Sequence, residues 1–270
     1  MRIDLHLHST VSDGSLSPSA LTWAARAGGL DVIALTDHDT CAGVDEAMRS
    51  LPDHLHVIPG IELSSNLEDF EQHILGYFID HKHYALQEYS ETAFEKRRER
   101  VQRMIEKLHP YGLRLTLEDV LAVAEPGTRS LGRPHLARAM VRRGFVPTVG
   151  EAFDRFIGDS GPAYLPTQML TPAEAIRLIH LAGGVAIWAH PRLSAVDRHL
   201  DAFVNWGIDG MECFRPNASA DEAMRLEQIA RHRAMVLTGG SDWHGTWQGR
   251  LGDFYVSHDE VERLLELGGM

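Results

Sequence analysis

Asp4-Leu5-His6-Leu7-His8 and Ser241-Asp242-Trp243-His244 lie near opposite ends of the chain, and their reading decides the fold. Each is a strand-like run that finishes on side chains able to ligate a metal. Residues two apart on a strand share a face with Cα atoms about 6 to 7 Å apart, so His6 and His8 can grip one divalent cation together. The chain holds 16 histidines, and His54-Leu55-His56 and His81-Lys82-His83 supply two more His-x-His pairs. Position separates them. His54 and His56 stand at the entrance of the apolar run Val57-Ile58, and His81 and His83 sit in a polar stretch before a helix, so both pairs read as solvated surface.

Four other runs repeat the same idea. Asp31-Val32-Ile33-Ala34-Leu35-Thr36 empties into Asp37-His38-Asp39, as a buried parallel strand running into a polar loop does. Val57-Ile58-Pro59-Gly60-Ile61 leads to Glu62, and Gln72-His73-Ile74-Leu75-Gly76-Tyr77 places an imidazole at the next strand. Gly184-Val185-Ala186-Ile187-Trp188-Ala189 runs into His190-Pro191. Strands alternating with helices imply a parallel sheet, and in a closed α/β barrel the carboxyl ends of the strands build the active site. The ligand candidates fall at such ends. Cys41 and Cys213 are too few and too isolated for a zinc-cysteine site, and they read as reduced packing residues of a cytosolic protein.

Taken together, these motifs resemble the polymerase and histidinol phosphatase superfamily of metal-dependent phosphoesterases. The matching pieces are His6-x-His8, Asp13 after a short loop, Thr36-Asp37-His38, Gly60-Ile61-Glu62, His73, His190-Pro191 and Ser241-Asp242-x-His244, spanning residues 3 to 244. The resemblance implies a distorted seven-stranded α/β barrel holding two or three divalent metals, manganese preferred, with zinc or iron as alternatives. It assigns His6, His8, Glu62 and Asp242 to a first metal. Glu62 would bridge to a second held by His73 and His190, and Asp13, His38 and His244 would hold a third. It also implies catalytic roles for His190 and Asp242. The donor set makes chemical sense, because imidazole suits zinc, manganese and iron while a carboxylate can bridge two cations. Such a cluster acidifies a shared water and clamps a phosphoryl group, so a phosphate ester is the expected substrate. Asp37 and Asp39 flank His38, and either one of them accepts the ring proton of a ligand histidine or both face water.

The formal charge of −12 opposes a long nucleic-acid groove, since such proteins present a basic face. A small phosphorylated molecule or a short oligonucleotide end fits better. Residues 80–168 differ in texture and read as an inserted helical cap between the barrel segments 1–79 and 169–270. Glu88 to Leu108 carries an apolar face amid Lys96, Arg97, Arg98, Glu99 and Arg100, which read as a solvated charged face, and Pro110-Tyr111-Gly112 stops it. Thr116 and Pro147-Thr148 open further helices. Ser130-Leu131-Gly132-Arg133-Pro134-His135-Leu136-Ala137 places Arg133 and His135 at a helix start, where an anion is welcome and a guanidinium binds phosphate in a bidentate manner. The same run resembles the cap motif of the small stand-alone phosphoesterases that act on nucleotides. Arg192 is a weaker substrate-binding candidate, and Trp243 and Trp247 are either base-stacking or local packing residues.

The chain's 270 residues suffice for one large core and a subdomain. Its apolar runs are too short for a transmembrane helix, and the first metal strand begins at once, so the expected compartment is the cytoplasm. Asp221 to Arg233 reads as a last amphipathic helix and Gly252 to Val256 as a further strand; the sequence carries no mark of an oligomeric state. The leading expectation, from resemblance to nucleoside 3',5'-bisphosphate phosphatases, is removal of the 3'-phosphate, with trimming of short RNA from its 5' end. Arg133 and His135 would read the 5'-phosphate, and metal-bound water or His135 would protonate the leaving group. The alternatives are histidinol phosphatase or another small-molecule phosphoesterase, amide hydrolysis by the same metals, and a noncatalytic metal-stabilised binding domain.

Overall fold

A computed structural model of the chain describes residues 1–68 and 70–270. In chain order the elements are β1 (Arg2–Leu7), α1 (Pro18–Ala27), β2 (Val32–Leu35), α2 (Val44–Arg49), β3 (His56–Leu67), β4 (Phe70–Tyr77), α3 (Tyr84–Leu108), α4 (Leu117–Leu121), α5 (Arg133–Arg142) and α6 (Val149–Ala152). They continue as α7 (Pro172–Leu181), β5 (Val185–Trp188), α8 (Leu193–Asn205), β6 (Gly210–Phe214), α9 (Ala220–His232), β7 (Val236–Gly239), β8 (Val256–Ser257) and α10 (His258–Leu267).

The strands form one sheet in the order β7-β6-β5-β4-β3-β2-β1-β8. It curls until the segment after β7 meets β1, where His8 N–H donates to the Trp243 carbonyl and Trp243 N–H to the His6 carbonyl. The expected α/β barrel is therefore present and nearly closed, with eight strands in place of seven. The eighth is the two-residue β8, antiparallel to β1 at Arg2 and Ile3, and it is shorter than the strand expected over Gly252 to Val256. The sheet is also not wholly parallel. β1, β2 and β3 run together, as do β5, β6 and β7, but β4 is antiparallel to both β3 and β5.

Alternation along the strands sorts side chains into two cores. Ile3, Val32, Ala34, Ile58, Leu75, Tyr77, Ile187 and Val236 fill the barrel, closed below by Val261, Leu264 and Leu265 of α10. Leu7, Ile33, Leu35, Ile61, Leu63, Ile74 and Trp188 face the surrounding helices. β1 belongs to both, because its register shifts between Asp4 and Leu7, which re-aims the strand beneath His6 and His8.

β4 leaves at the floor of the barrel. From there the 25 residues of α3 climb about 37 Å, past the rim. Leu86 packs in the outer barrel core, whereas Val101, Met104, Ile105 and Leu108 enter a separate core with Val120, Leu136, Met140 and Ile157. Thr116 and Asp119 close a capping box on α4, and Thr148 caps α6. The charged stretch in α3 is not the solvated face its composition suggests: Arg97 is 4% and Arg100 8% exposed. Among the described residues no helix is long and apolar enough to cross a membrane.

Candidate metal centre

Nine side chains named from the sequence converge on the rim of the barrel. His6 and His8 follow the shifted register of β1, and their rings stand 5.2 Å apart. Both Nε2 atoms lie 3.2 Å from Glu62 Oε2, and His38 Nδ1 is 2.9 Å from the same oxygen. Glu62 shares its face of β3 with Ile58 and is fully buried. Its other oxygen, Oε1, is 2.8 Å from His73 Nδ1 and 3.1 Å from His190 Nε2. Asp242 Oδ1 is 3.4 Å from His6 Nε2 and 3.2 Å from His8 Nε2, and His244 Nε2 is 3.3 Å from Asp13 Oδ1.

These donors fall into three overlapping groups whose ligand atoms lie within 4.8 Å of one another: His6, His8, Glu62 and Asp242; His38, Glu62 and His73; and His8, Asp13, His38 and His244. His8, His38 and Glu62 each belong to two groups, while His190 joins through Glu62 and His73. His6 Nε2, His8 Nε2, Asp13 Oδ1, His38 Nδ1 and Glu62 Oε2 are buried and crowd one another at 2.9 to 3.3 Å, or His244 in the case of Asp13, without forming an aligned hydrogen bond among the described residues. A buried polar atom left unpaired costs about 1 to 3 kcal/mol, and five at one point mark a site shaped for something else. Nitrogen and oxygen donors without thiolate fit divalent cations.

Electrostatics agree with that fit. Burial alone would lower the pKa of His6, but Glu212, Glu62 and Asp242 hold it well above the ordinary imidazole value. His8 is pushed against its burial to about 9 by Asp242 and Glu62, and His73 to about 10 by Glu62 and Glu71. Glu62 and Asp13 lie well below the usual carboxylate range despite burial, because imidazoles surround them. The negative potential that draws protons onto these rings is what draws a cation, and a bound cation would displace those protons.

His73 is at the rim for a reason the spacing did not show. It lies in the first half of β4, opposite Ser64, and only because β4 is antiparallel does that end join the carboxyl ends of its neighbours. His190 has φ +31° and Asp242 φ +52°, so both strand exits bend sharply. Gly240, between β7 and Asp242, packs directly on His6, where a Cβ would collide with the histidine backbone.

Glu212 was not among the expected residues. It is 1% exposed, its Oε1 sits 3.0 Å from His6 Nδ1, and its Oε2 accepts the His190 N–H at 2.8 Å. It thus takes the orienting role expected of Asp37 or Asp39. Those two neither meet a ligand ring nor face water, each being 1% exposed. Asp37 accepts from Ser9 N–H and from the hydroxyls of Ser9 and Ser12, all at 2.7 Å, and so shapes the loop that carries Asp13. Asp39 accepts from Arg97, Tyr89 and the Ser64 N–H. Of the two other His-x-His pairs, His54 and His56 are exposed, but His81 bonds Asp45 at 2.8 Å and His83 caps α3.

Arg133 opens α5 and lies 2.7 Å from Asp159, with Phe153 and Tyr164 beneath its guanidinium. It lines a cavity of about 630 Å³ whose wall includes His73, His190 and Arg192. His135 is 2% exposed, and its Nδ1 accepts the Gly132 N–H at 3.1 Å, which places its proton on Nε2. Burial and the neighbouring Arg138 lower its pKa to about 4. At neutral pH it is therefore an uncharged hydrogen-bond donor, not the imidazolium that would protonate a leaving group. Trp243 packs in the outer core and bonds the Gly249 carbonyl, while Trp247 is exposed.

Comparison with known proteins adds the family. A model of the PHP domain matches residues 4–135. The chain is 35% identical over 249 residues to a 5'-3' exoribonuclease of Haemophilus influenzae, covering 90% of each protein. It is 29% identical over 257 residues to a 3',5'-nucleoside bisphosphate phosphatase of Chromobacterium violaceum, covering 92% of this chain and 88% of that one. Among solved structures, one from Bifidobacterium adolescentis assigned as a metal-dependent phosphoesterase superposes with a TM-score of 0.88 at 33% identity, covering 98% of this chain and 96% of the other. Fold, clustered donors and identity across nine-tenths of a relative agree: the chain belongs to the PHP domain family.

Proposed function

We propose that the chain is a metal-dependent phosphoester hydrolase that removes the 3'-phosphate from nucleoside 3',5'-bisphosphates and trims short 5'-phosphorylated oligoribonucleotides from the 5' end. The observation that carries this is the convergence of nine ligand-type side chains with five orphaned buried donor atoms beside a cavity lined by arginines. His6, His8, Glu62 and Asp242 would hold one ion, His73, His190 and Glu62 a second, and Asp13, His38 and His244 a third. Manganese is the preferred ion, because the set combines carboxylate with imidazole and lacks thiolate. When bound, such ions supply the charge that polarises a phosphoryl group and acidifies water. We take residues 80–168 as a cap over this centre and place the protein in the cytoplasm.

The remaining work belongs to the chain. Glu212 fixes the tautomer of His6 and the backbone at His190. Arg133 receives the 5'-phosphate in exchange for Asp159, an exposed partner that a dianion can outcompete. His135 donates its Nε2 proton as a neutral group and holds the helix start open by accepting the Gly132 amide. Arg192, exposed and without an ion-pair partner among the described residues, adds positive charge beside His190. An amine-bearing ester such as histidinol phosphate would meet these arginines unfavourably.

The test is phosphate release by chelator-stripped protein reloaded with Mn²⁺, Zn²⁺ or Fe²⁺, on a nucleoside 3',5'-bisphosphate, the corresponding monophosphates, histidinol phosphate and an aryl phosphate. The bisphosphate is expected to lead, and Arg133→Ala to cut its kcat/KM at least tenfold more than that of the aryl ester. Equal loss on both esters would remove Arg133 from recognition. Silence on every ester with every metal would reject hydrolysis of phosphoesters.

A further inference from the structure

Beyond Arg133, the cavity beside the metal centre carries a second set of features. Arg192, Ser194, Ala195, Arg198 and His199 line it from α8 and the residue before it. Arg192 and Arg198 are exposed and have no ion-pair partner among the described residues. The cavity's carboxylates are already answered: Asp159 faces Arg133, and Glu71 faces His73, Thr167 and Arg100. In a protein of charge −12 the surplus of this wall is positive.

Aromatic surface faces the same space. Phe70, 60% exposed at the start of β4, and the half-buried Tyr164 both line it. Arg192 precedes α8 and Arg198 lies six positions on, about 9 Å along the axis and about a third of a turn around it, so the two present charge to different parts of the cavity wall. Unpaired guanidinium groups beside the open face of Phe70 are what a single strand of nucleic acid requires: cations along the backbone and a platform under a base. The neighbouring cavity beyond His190 lacks this character. Arg192 stands between the two cavities; the other arginine of this one, Arg215, is held by Glu222 and the Pro191 carbonyl, and Glu212 and Asp242 add negative charge.

We infer that the start of α8, with Arg192 and Arg198, together with Phe70, is the subsite for the nucleotides downstream of the scissile phosphate in a short single-stranded oligonucleotide. The inference rests on the phosphohydrolase reading and deepens it. Phosphates meet Arg192 and Arg198, and a base stacks on Phe70. A bisphosphonucleoside, held between the metal ligands and Arg133, leaves Arg198 and Phe70 uncontacted. The cavity volume of about 630 Å³ limits the grip to a few nucleotides, which reconciles an acidic protein with an RNA substrate.

The experiment compares the Mn²⁺-loaded enzyme with Arg198→Ala, Phe70→Ala and the double variant on a 5'-phosphorylated tetraribonucleotide and a nucleoside 3',5'-bisphosphate. Both side chains are exposed, so melting temperatures should match wild type. Each substitution should lower kcat/KM on the tetranucleotide about tenfold, and by far more than on the bisphosphate. Arg198→Ala should also flatten the dependence of log kcat/KM on log salt for the tetranucleotide by about 0.7. Losses equal on the two substrates, or no loss on the tetranucleotide, overturn the subsite while leaving the bisphosphatase reading standing. A wild-type enzyme silent on both substrates overturns the reading and the subsite together.

Discussion

Replacing Arg97 with methionine tests how α3 is fastened to the loops that carry His38 and Glu62. Arg97 Nε and Nη2 lie 2.7 and 2.6 Å from Asp39 Oδ2, and Nη2 donates to Ser64 Oγ at 2.8 Å. Asp39 is 1% exposed, so the substitution leaves a buried carboxylate with Tyr89 and the Ser64 amide as its remaining donors. Breaking a buried pair by removing one partner costs about 3 to 5 kcal/mol. With an unfolding entropy of about 0.6 kcal/mol/K for a chain of this size, the melting temperature should fall by roughly 5 to 9 °C at pH 7. The pH dependence gives a sharper signature. Against its burial, Arg97 first and then Tyr89 hold the Asp39 pKa below the ordinary value. A depressed carboxylate contributes stability that is present above the unfolded pKa, about 3.9, and lost as pH falls through the folded value. In Arg97→Met burial prevails, the pKa rises, and the charge destabilises wherever the group is ionised. The gap between wild type and variant should therefore widen from pH 3.5 to pH 7, and Asp39→Asn in the variant background should narrow it at pH 7. Differential scanning fluorimetry across that range is the assay. A shift under 2 °C at pH 7, or a gap that widens towards acid, would refute the reasoning.

Two further substitutions probe the site from either side. Glu212→Gln keeps the shape around His6 and His190 but removes the charge, and should cost about 10- to 100-fold in metal affinity or activity; full metal content by mass spectrometry together with wild-type kcat would dismiss an orienting role. Asp159→Asn releases Arg133 from an exposed pair worth up to about 1 kcal/mol, so KM for the bisphosphate should fall by up to about fivefold while the aryl ester is unaffected; a rise in KM would show that Asp159 positions the arginine instead of competing for it.

Most of the side chains that converge on Glu62 were legible because they close an apolar run, a pattern fixed by the period of the strand. His73 shows where that pattern misleads. Its residue type was right, but period-two alternation carries no direction, so the reversal of β4 was invisible. Glu212 was missed although Gly210-Met211-Glu212-Cys213-Phe214 repeats the apolar run broken by a carboxylate at Gly60-Ile61-Glu62-Leu63; the signal lay in the comparison of the two runs. Arg97 and Arg100 were misread because a charge cluster on an amphipathic helix is ordinarily solvated. Their burial depends on a second body of protein above the rim, which local sequence does not reveal. Asp37 and Asp39 were noticed through their adjacency to His38, yet their partners, Ser9, Ser12 and Arg97, come from distant segments.

The reversal of β4 also explains where the second core stands. A parallel strand in that place would deliver the chain at the rim, and an insertion there would begin as a loop over the metals. The antiparallel β4 delivers it at the floor, so α3 must climb the barrel wall before anything can be built above it. Its lower half is held in the outer barrel core through Leu86, and its upper half supplies Val101, Met104 and Ile105 to the second core. Arg97 falls at the changeover, bonded to Asp39 one residue after His38 and to Ser64 two residues after Glu62. The same guanidinium reaches the Leu131 carbonyl at 3.5 Å, two residues before Arg133. One helix and one buried arginine therefore set the distance between the His38 and Glu62 segments and Arg133. A hinge at the base of α3 would have left that distance undefined, and under the proposed function a fixed distance is what discrimination between one phosphate and two requires.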